Sequence, residues 1–228
     1  MQFTFVTLFE NLISGYFTDS ILKRAINANI FRIDYLNPRK YTKNKHQKVD
    51  DYAVGGGAGL TMMAQPLYDA FDALKQTSPN AKIIMMTPSG KPFKQSDAVR
   101  LANEEHIVFL SGRYEGIDER VIEKYVDECF VIGDYILTGG ELPSLVMCDA
   151  IARNIEGVLG NDASLDEESF NGASLEAPSF TKPTTYAGCS VPSMLLSGHH
   201  KKMKAFRDEL ADAKTKYFRP DLKLVKNF

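Results

Sequence analysis

Short, almost wholly apolar segments recur along the first two-thirds of the chain, and stretches with helical periodicity separate them. The apolar segments are Gln2–Leu8, Phe31–Leu36, Lys82–Met86, His106–Leu110 and Glu128–Ile132. Strands that helices cover on both faces are apolar at successive positions rather than at alternate ones. Capping residues and prolines indicate helix starts at Asp19 or Ser20, Pro66, Gln95, Asp118 and Pro143. The alternation predicts an α/β layer fold with a mostly parallel sheet.

The composition changes after Gly157, where a run rich in Ser, Asp, Glu, Asn and Gly begins. We therefore expect three parts: an α/β domain over 1–158, a flexible linker over 159–176, and a small helical domain over 177–228. The clearest helix of the last part is predicted over His199–Asp212.

Charge is unevenly distributed, although the net charge is only −2. One acid-free stretch holds Arg39, Lys40, Lys43, Lys45 and Lys48, and nine basic residues face four acidic ones from Ser197 onward. Two separate basic patches suggest a polyanion that is held at two places. Charge alone leaves open the alternative of two solvated surfaces.

The three cysteines, Cys129, Cys148 and Cys189, are widely spaced and form no CxxC motif. This pattern argues against a disulfide framework or a zinc site, and it favours a reducing compartment, the cytoplasm by default. No apolar run approaches the roughly 18 residues of a membrane span, and the N-terminus lacks the features of a signal peptide.

Nine of the sixteen glycines fall in three loops, 55–59, 111–116 and 132–140. The last two follow candidate strands directly, and Thr87–Gly90 is a fourth expected turn of this kind. Loops at the carboxyl ends of parallel strands line the ligand crevice of an open α/β sheet, where glycine lets the backbone approach a ligand. Together the four loops would suit a flat, adenine-like ring, although each loop alone could be an ordinary tight turn.

Several familiar motifs are missing from the sequence. There is no GxGxxG that opens a helix, no GxxxxGK[ST], no GxSxG and no HExxH, and the four histidines lie at no metal-ligand or triad spacing. Classical dinucleotide-binding, P-loop, hydrolase and metalloprotease functions are therefore not indicated, and the sequence predicts no metal site.

Longer motifs resemble a known family over nearly the whole chain. They are VGGGAGL (54–60), MTPSGKPF (86–93), SGRYEGIDERV (111–121), VIGDYILTGGELPS (131–144), LEAPSFTKP (175–183), VPSMLLSGHH (191–200) and FRPDL (218–222). They are similar to the TrmD-type tRNA (guanine-N1)-methyltransferases of the SPOUT superfamily. The resemblance implies a trefoil-knotted α/β domain that binds S-adenosylmethionine, a C-terminal tRNA-binding helical domain, and a homodimer whose active sites contain residues of both subunits.

The resemblance also assigns roles to individual residues. The cofactor-binding positions correspond to Met86, Thr87, Pro88, Ser89, Gly90, Gly112, Tyr114, Gly116, Ile132, Gly133, Asp134, Tyr135, Ile136, Leu137, Gly139, Gly140 and Pro143. The substrate-binding positions correspond to Gly59, Glu115, Ser169, Ser197 and His199. The resemblance also implies that Glu115 is the candidate residue for an interaction with Mg²⁺. For Arg113 and Arg120 we favour structural ion pairs over a role in the dimer or the knot.

The implied reaction transfers a methyl group from S-adenosylmethionine to N1 of guanine 37, next to the anticodon and after guanine 36, and it yields 1-methylguanosine. N1 of a neutral guanine carries a proton, so a carboxylate must reach it. The family's linker aspartate corresponds here to Glu168, one methylene longer, and its linker motif reads Asp166-Glu167-Glu168-Ser169-Phe170. Asp166 or Glu167 could substitute, and Arg153 corresponds to the family's donor near the guanine O6.

Two other functions remain as alternatives. One is a knotted methyltransferase that modifies a ribose 2′-hydroxyl, a reaction that does not require this linker carboxylate. The other is an RNA-binding relative that has lost catalysis, against which the intact glycine loops argue.

Overall fold

A computed structural model describes residues 1–160 and 168–224 of the chain. Contacts between residues divide the chain into two compact units, Met1–Gly160 and Asn161–Phe228. The first unit contains the predicted strands and most of the predicted helices.

Seven strands and six α-helices are found in the described first unit. The strands are β1 (Gln2–Val6), β2 (Arg32–Leu36), β3 (Asp50–Tyr52), β4 (Leu60–Met62), β5 (Lys82–Pro92), β6 (His106–Leu110) and β7 (Glu128–Val131). The helices are α1 (Asn11–Ser14), α2 (Ser20–Asn27), α3 (Ala64–Thr77), α4 (Gln95–Leu101), α5 (Glu119–Tyr125) and α6 (Glu141–Ala152).

The five strands predicted from apolar runs form one sheet, in the order β2-β1-β6-β5-β7. Every neighbouring pair in this sheet is parallel. The predicted α/β architecture with a parallel sheet is thus confirmed for this unit.

Helices cover both faces of the sheet, which explains why β1, β6 and the first half of β5 are buried at nearly every position. Phe3, Phe5 and Phe109 belong to the core on one face, with apolar residues of α1, α2, α4 and α6. The core on the other face contains Val108 and Leu110, and there α3 and α5 supply the packing partners. Adjacent strand residues therefore point into different cores, and each must be apolar.

The segment Thr87–Gly90, which we expected to be a turn, lies instead within β5. The pairing of β5 with β7 shifts register between Met86 and Lys91, so the strand is irregular where the turn was predicted. A Cβ atom at Gly90 would lie 2.5 Å from backbone atoms of Phe130. Glycine therefore lets the two strands stay together past the irregularity.

The antiparallel hairpin of β3 and β4 was not expected from the sequence. Its strands have three residues each, which is too short for a periodicity signal. The backbone of β4 is bound to the segment after β6: the Met62 amide donates to the Gly116 carbonyl (2.9 Å) and the Asp118 amide to the Met62 carbonyl (3.0 Å). The loop between β3 and β4, which holds Gly55–Gly59, is thereby fixed at one end.

Each predicted helix start lies within two residues of the observed start of that helix. Asp19 and Asp118 are the N-caps of α2 and α5, and their side chains accept backbone N–H groups. Pro66 and Pro143 lie in the first turns of α3 and α6, each two residues after the helix begins. A proline is tolerated there because the N–H groups of the first turn have no partner within the helix.

The described part of the second unit contains a two-stranded antiparallel pair, β8 (Thr185–Tyr186) and β9 (Cys189–Ser190), followed by helices α7 (His200–Phe218) and α8 (Asp221–Leu224). Helix α7 continues six residues beyond the predicted end at Asp212. The buried Thr215 of α7 accepts a hydrogen bond from the Leu175 amide (2.9 Å), so the segment before β8 is attached to α7.

The sequence also led us to expect cysteines without disulfide partners and no membrane-spanning segment. Cys129, Cys148 and Cys189 are all free thiols. Among residues 1–160 and 168–224, no helix is long and apolar enough to cross a membrane.

Candidate functional site

A cavity of about 330 Å³ opens at the carboxyl ends of β6 and β7 and beside the middle of β5, where that strand becomes irregular. Its walls come from the end of the regular part of β5, from the loop after β6 and from the loop after β7. The lining residues are Met85, Met86, Thr87, Pro88, Gly112, Arg113, Tyr114, Glu115, Gly116, Phe130, Val131, Ile132, Gly133, Tyr135, Ile136, Leu137, Thr138, Gly139, Gly140 and Pro143. The volume lies at the lower end of the range typical of small-molecule sites.

Most of the residues that the family resemblance assigned to the cofactor lie together in this cavity. Three do not line it. Ser89 is hydrogen-bonded to the Thr87 hydroxyl (3.1 Å), Gly90 packs on the backbone of Phe130, and Asp134 is exposed on the loop after β7. Of the four glycine-containing segments, three therefore contribute to one cavity.

Apolar side chains of the loop after β7 remain exposed at the cavity. Ile136 is 80% exposed, and Tyr135 and Leu137 are also exposed. Apolar side chains beside a concave, glycine-rich wall are an arrangement suited to a ligand with a flat apolar part.

Two of the loops that line the cavity are in direct backbone contact. The Gly140 amide donates to the Gly112 carbonyl (2.9 Å), and a Cβ atom at Gly140 would lie 2.7 Å from Cα of Ser111. The hydroxyls of Ser111 and Ser144 are 3.0 Å apart, and Ser144 also donates to the Gly140 carbonyl (2.6 Å). Gly140 is therefore required for loop packing, whereas the sequence suggested only close approach to a ligand.

The remaining glycine loop, 55–59, does not line this cavity but touches its rim. A Cβ atom at Gly59 would lie 2.5 Å from the side chain of Glu115, and Glu115 is a lining residue. The Glu115 amide donates to the Leu60 carbonyl (2.9 Å), which holds the two segments together. Gly59 and Glu115, both assigned to the substrate, are thus neighbours.

Arg113 and Arg120 both form ion pairs. Nε of Arg113 lies 2.8 Å from Oε2 of the buried Glu141, and Nη2 of Arg120 lies 2.7 Å from Oδ2 of Asp118. The hydrogen bond from Arg120 lowers the pKa of Asp118, although burial opposes that shift. The structure thus contains the ion pairs that we favoured for these two arginines.

The assigned catalytic residues lie in different units. Arg153 directly follows α6 in the first unit, and Glu168 is the first described residue of the second. The Glu168 carbonyl accepts the Asn171 amide (3.3 Å), and the Ser169 hydroxyl accepts the Glu176 amide (3.0 Å). Asp166 and Glu167, the alternative bases, lie outside the described residues.

The other assigned substrate residues, Ser197 and His199, are exposed just before α7. The His199 amide donates to the Ser197 hydroxyl at 3.4 Å, and His199 is the N-cap of α7. Within the described residues, no group of three or more His, Cys, Asp or Glu side chains is arranged to hold a metal ion.

The fold and the cavity define an α/β protein with a ligand-sized site at the carboxyl ends of its parallel strands. A family model described as tRNA (Guanine-1)-methyltransferase TrmD matches residues 1–225. The chain is 61% identical to a tRNA (guanine-N(1)-)-methyltransferase of Sulfurimonas denitrificans, over 97% of this chain and 96% of the relative. It is 59% identical to the enzyme of the same description from a Sulfurovum species, over 97% of this chain and 98% of the relative. It is 53% identical to that of Campylobacter jejuni, over 97% of this chain and 97% of the relative.

The chain therefore belongs to the TrmD family of tRNA (guanine-1)-methyltransferases. It is accordingly an enzyme, a methyltransferase that acts on guanine in tRNA. The family resemblance noted in the sequence is confirmed.

Proposed function

We propose that this chain transfers the methyl group of S-adenosylmethionine to N1 of guanine 37 in tRNAs that carry guanine at position 36, and that the product is 1-methylguanosine. The observation that carries the proposal is the single cavity that collects the motif residues of three separate chain segments. Because the substrate is tRNA, we expect the reaction to take place in the cytoplasm.

The cavity fits the cofactor in size and in chemistry. Its wall is largely glycine backbone and apolar side chain, which suits an adenine ring held by main-chain hydrogen bonds. Bound S-adenosylmethionine supplies a methyl group that the sulfonium already activates. Gly112, Ile132, Leu137 and Gly140 are among the residues that would hold it.

Glu168 is proposed as the general base. Proton removal from N1 of guanine requires a carboxylate within hydrogen-bond reach of that atom. The contacts of Ser169 with Glu176 and of Leu175 with Thr215 hold the segment after Glu168 on α7. The longer glutamate side chain has the carboxylate that the chemistry needs, and Asp166 and Glu167 are the other candidates.

Arg153 is proposed to donate to the guanine O6, where negative charge develops as N1 loses its proton. A fixed positive charge at that oxygen stabilises the transition state more than it does the neutral base. Glu115, with Gly59 beside it, is proposed to contact the substrate, and it is the residue at which we would look for a Mg²⁺ effect.

Three architectural features belong to the same proposal. The first is a trefoil knot in the first unit, with which the close backbone packing of Gly140 against Ser111 and Gly112 is consistent. The second is a homodimer in which both subunits contribute to each site. The third is a tRNA-binding role for the helical C-terminal part of the chain, supported by the nine basic against four acidic residues from Ser197 onward.

The test is methyl transfer from labelled S-adenosylmethionine to tRNA transcripts with guanine at 37, preceded by guanine or by another base, with nucleoside mass analysis. We expect 1-methylguanosine only from the G36-G37 transcript. A ribose-methylated product would support the 2′-hydroxyl alternative. Tight cofactor binding with no product would overturn the proposed role of the linker carboxylate.

A further inference from the structure

A buried carboxylate pairs with Arg113, a lining residue of the proposed cofactor cavity, and is not itself one of the lining residues. Glu141, at the first position of α6, is 3% exposed. We propose that Glu141 is a positioning residue: through Arg113 it holds the loops after β6 and β7 in the arrangement that binds S-adenosylmethionine. This inference rests on the proposed function of the cavity.

Both carboxylate oxygens of Glu141 are engaged by residues distant in sequence. The hydroxyl of Thr7 donates to Oε1 (2.8 Å), and Nε of Arg113 lies 2.8 Å from Oε2. Thr7 is 1% exposed, and its hydroxyl also accepts the Phe9 amide (2.9 Å), so its orientation is fixed. The N-terminal end of α6 adds a favourable dipole for the negative charge.

Arg113 transmits this constraint to the cavity wall. It is a lining residue of the loop after β6, and its Nη1 donates to the Thr138 carbonyl (3.2 Å) in the loop after β7. Its guanidinium also lies 4.7 Å from the ring centre of Phe9. The side chain therefore connects the two loops and is itself paired with Glu141.

Two further observations concern the immediate surroundings of the Arg113 guanidinium. A Cβ atom at Gly139 would lie 2.5 Å from Nε of Arg113, so the glycine makes room for the guanidinium. Apart from their ion pair, Nε of Arg113 and Oε2 of Glu141 have no hydrogen-bond partner among the described residues. Each of these buried atoms thus depends on the charge of the other, and loss of the carboxylate leaves the arginine without compensation.

The test uses Thr7→Val and Glu141→Gln, with calorimetric binding of S-adenosylmethionine and separate KM and kcat values for cofactor and tRNA. We expect both variants to raise the Kd and the KM for the cofactor about tenfold, equivalent to about 1.4 kcal/mol. At saturating cofactor, kcat and the KM for tRNA should stay within about twofold. A merely structural role would lower the melting temperature without this split between KM and kcat.

Thr4→Val is the matched control for Thr7→Val. Thr4 lies in β1, which ends directly before Thr7. It is 3% exposed, and its hydroxyl is 2.9 Å from Nε2 of the buried His106, which is not among the cavity residues. The Thr4→Val variant should therefore destabilise the protein without changing its affinity for S-adenosylmethionine. If Thr7→Val and Glu141→Gln behave like Thr4→Val, or lower kcat alone, the inference is wrong.

A third variant separates this inference from the function on which it rests. Ile136→Glu places a charge on an exposed lining residue that has no part in the Glu141 contacts. If Ile136→Glu leaves the Kd for S-adenosylmethionine unchanged, the cavity is not the cofactor site and the proposed function fails. If Ile136→Glu weakens binding and Glu141→Gln does not, only the role of Glu141 is refuted.

Discussion

The amide of Gly140 donates a hydrogen bond to the carbonyl of Gly112 at 2.9 Å, and this contact joins the loops that follow two strands of the central sheet. There is no room for a side chain between them, since a Cβ atom at position 140 would lie 2.7 Å from Cα of Ser111. Any larger residue must push the loops apart, and the cavity that they enclose must change with them.

Gly140→Ala is therefore expected to weaken S-adenosylmethionine binding at least tenfold and to lower the free energy of unfolding by about 1–3 kcal/mol, the usual cost of overpacking. Calorimetry and denaturant titration measure the two effects. Gly15→Ala is the control, because its Cβ would meet nothing within 4 Å and its backbone is helical. Unchanged cofactor affinity in Gly140→Ala would show that the loop contact does not shape the site.

Glu168→Gln should retain cofactor affinity and lower kcat by about 10²–10⁴-fold, the usual contribution of a general base. The measurements are calorimetric binding and single-turnover methyl transfer at saturating tRNA. Glu176→Gln, an exposed glutamate of the same segment, provides the control for loss of a negative charge. Full activity of Glu168→Gln would transfer the role to Asp166 or Glu167.

The double reversal Lys43→Glu with Lys45→Glu should raise the apparent KM for tRNA about five- to tenfold at physiological salt and leave the cofactor KM unchanged. Both lysines are exposed, and the 3.5 Å pair of Lys43 with Asp69 is a surface contact that costs little to break. The dependence of KM on salt should become shallower, because fewer counterions are released.

The matched control is Lys23→Glu with Arg24→Glu, which reverses two exposed charges on α2, outside the basic loop. If both double variants alter the salt dependence equally, net charge rather than the basic loop governs tRNA binding.

Glu128 should make stability depend on pH in the acid range. Burial alone would raise its pKa, but hydrogen bonds from Arg100 and Lys91 outweigh burial and lower the pKa from 4.5 to about 2. A carboxylate with a depressed pKa stabilises the fold at pH values above 4.5, and this contribution is lost as the pH falls from 4.5 through about 2.

Glu128→Gln should therefore unfold more easily at pH 7, by about 1–2 kcal/mol, since its cationic partners are half exposed. Its difference from the wild type should shrink below pH 4.5 in urea titrations. Glu123→Gln, at an exposed site on α5, should show no such trend. A difference that is the same at pH 3 and pH 7 would contradict the assignment.

Much of the first unit could be predicted from local sequence. Strands β1 and β6 and the first half of β5 are buried at nearly every position because helices cover both faces, and the largely apolar sequence that this requires is visible without coordinates. The edge strand β2 departs from this pattern, since its Arg32 and Asp34 are exposed. The loops after β6 and β7 could be identified as site loops because they follow such strands and are rich in glycine. The hairpin of β3 and β4 could not be predicted from local sequence. Its two three-residue strands carry no periodicity, and contacts with Gly116 and Glu115 hold them.

The sequence by itself determined the five strands of the parallel sheet, most of the helices, the family, and four candidate site segments, of which three line the cavity. The tertiary structure alone decided that Thr87–Gly90 continues β5, that Gly140 is needed for packing against Ser111, and that Glu141 binds both Thr7 and Arg113. The physical reason is the range of the interactions. Strand and helix patterns come from neighbouring residues, whereas Thr7 and Glu141 are 134 positions apart and meet only because the folded sheet brings the end of β1 to the start of α6.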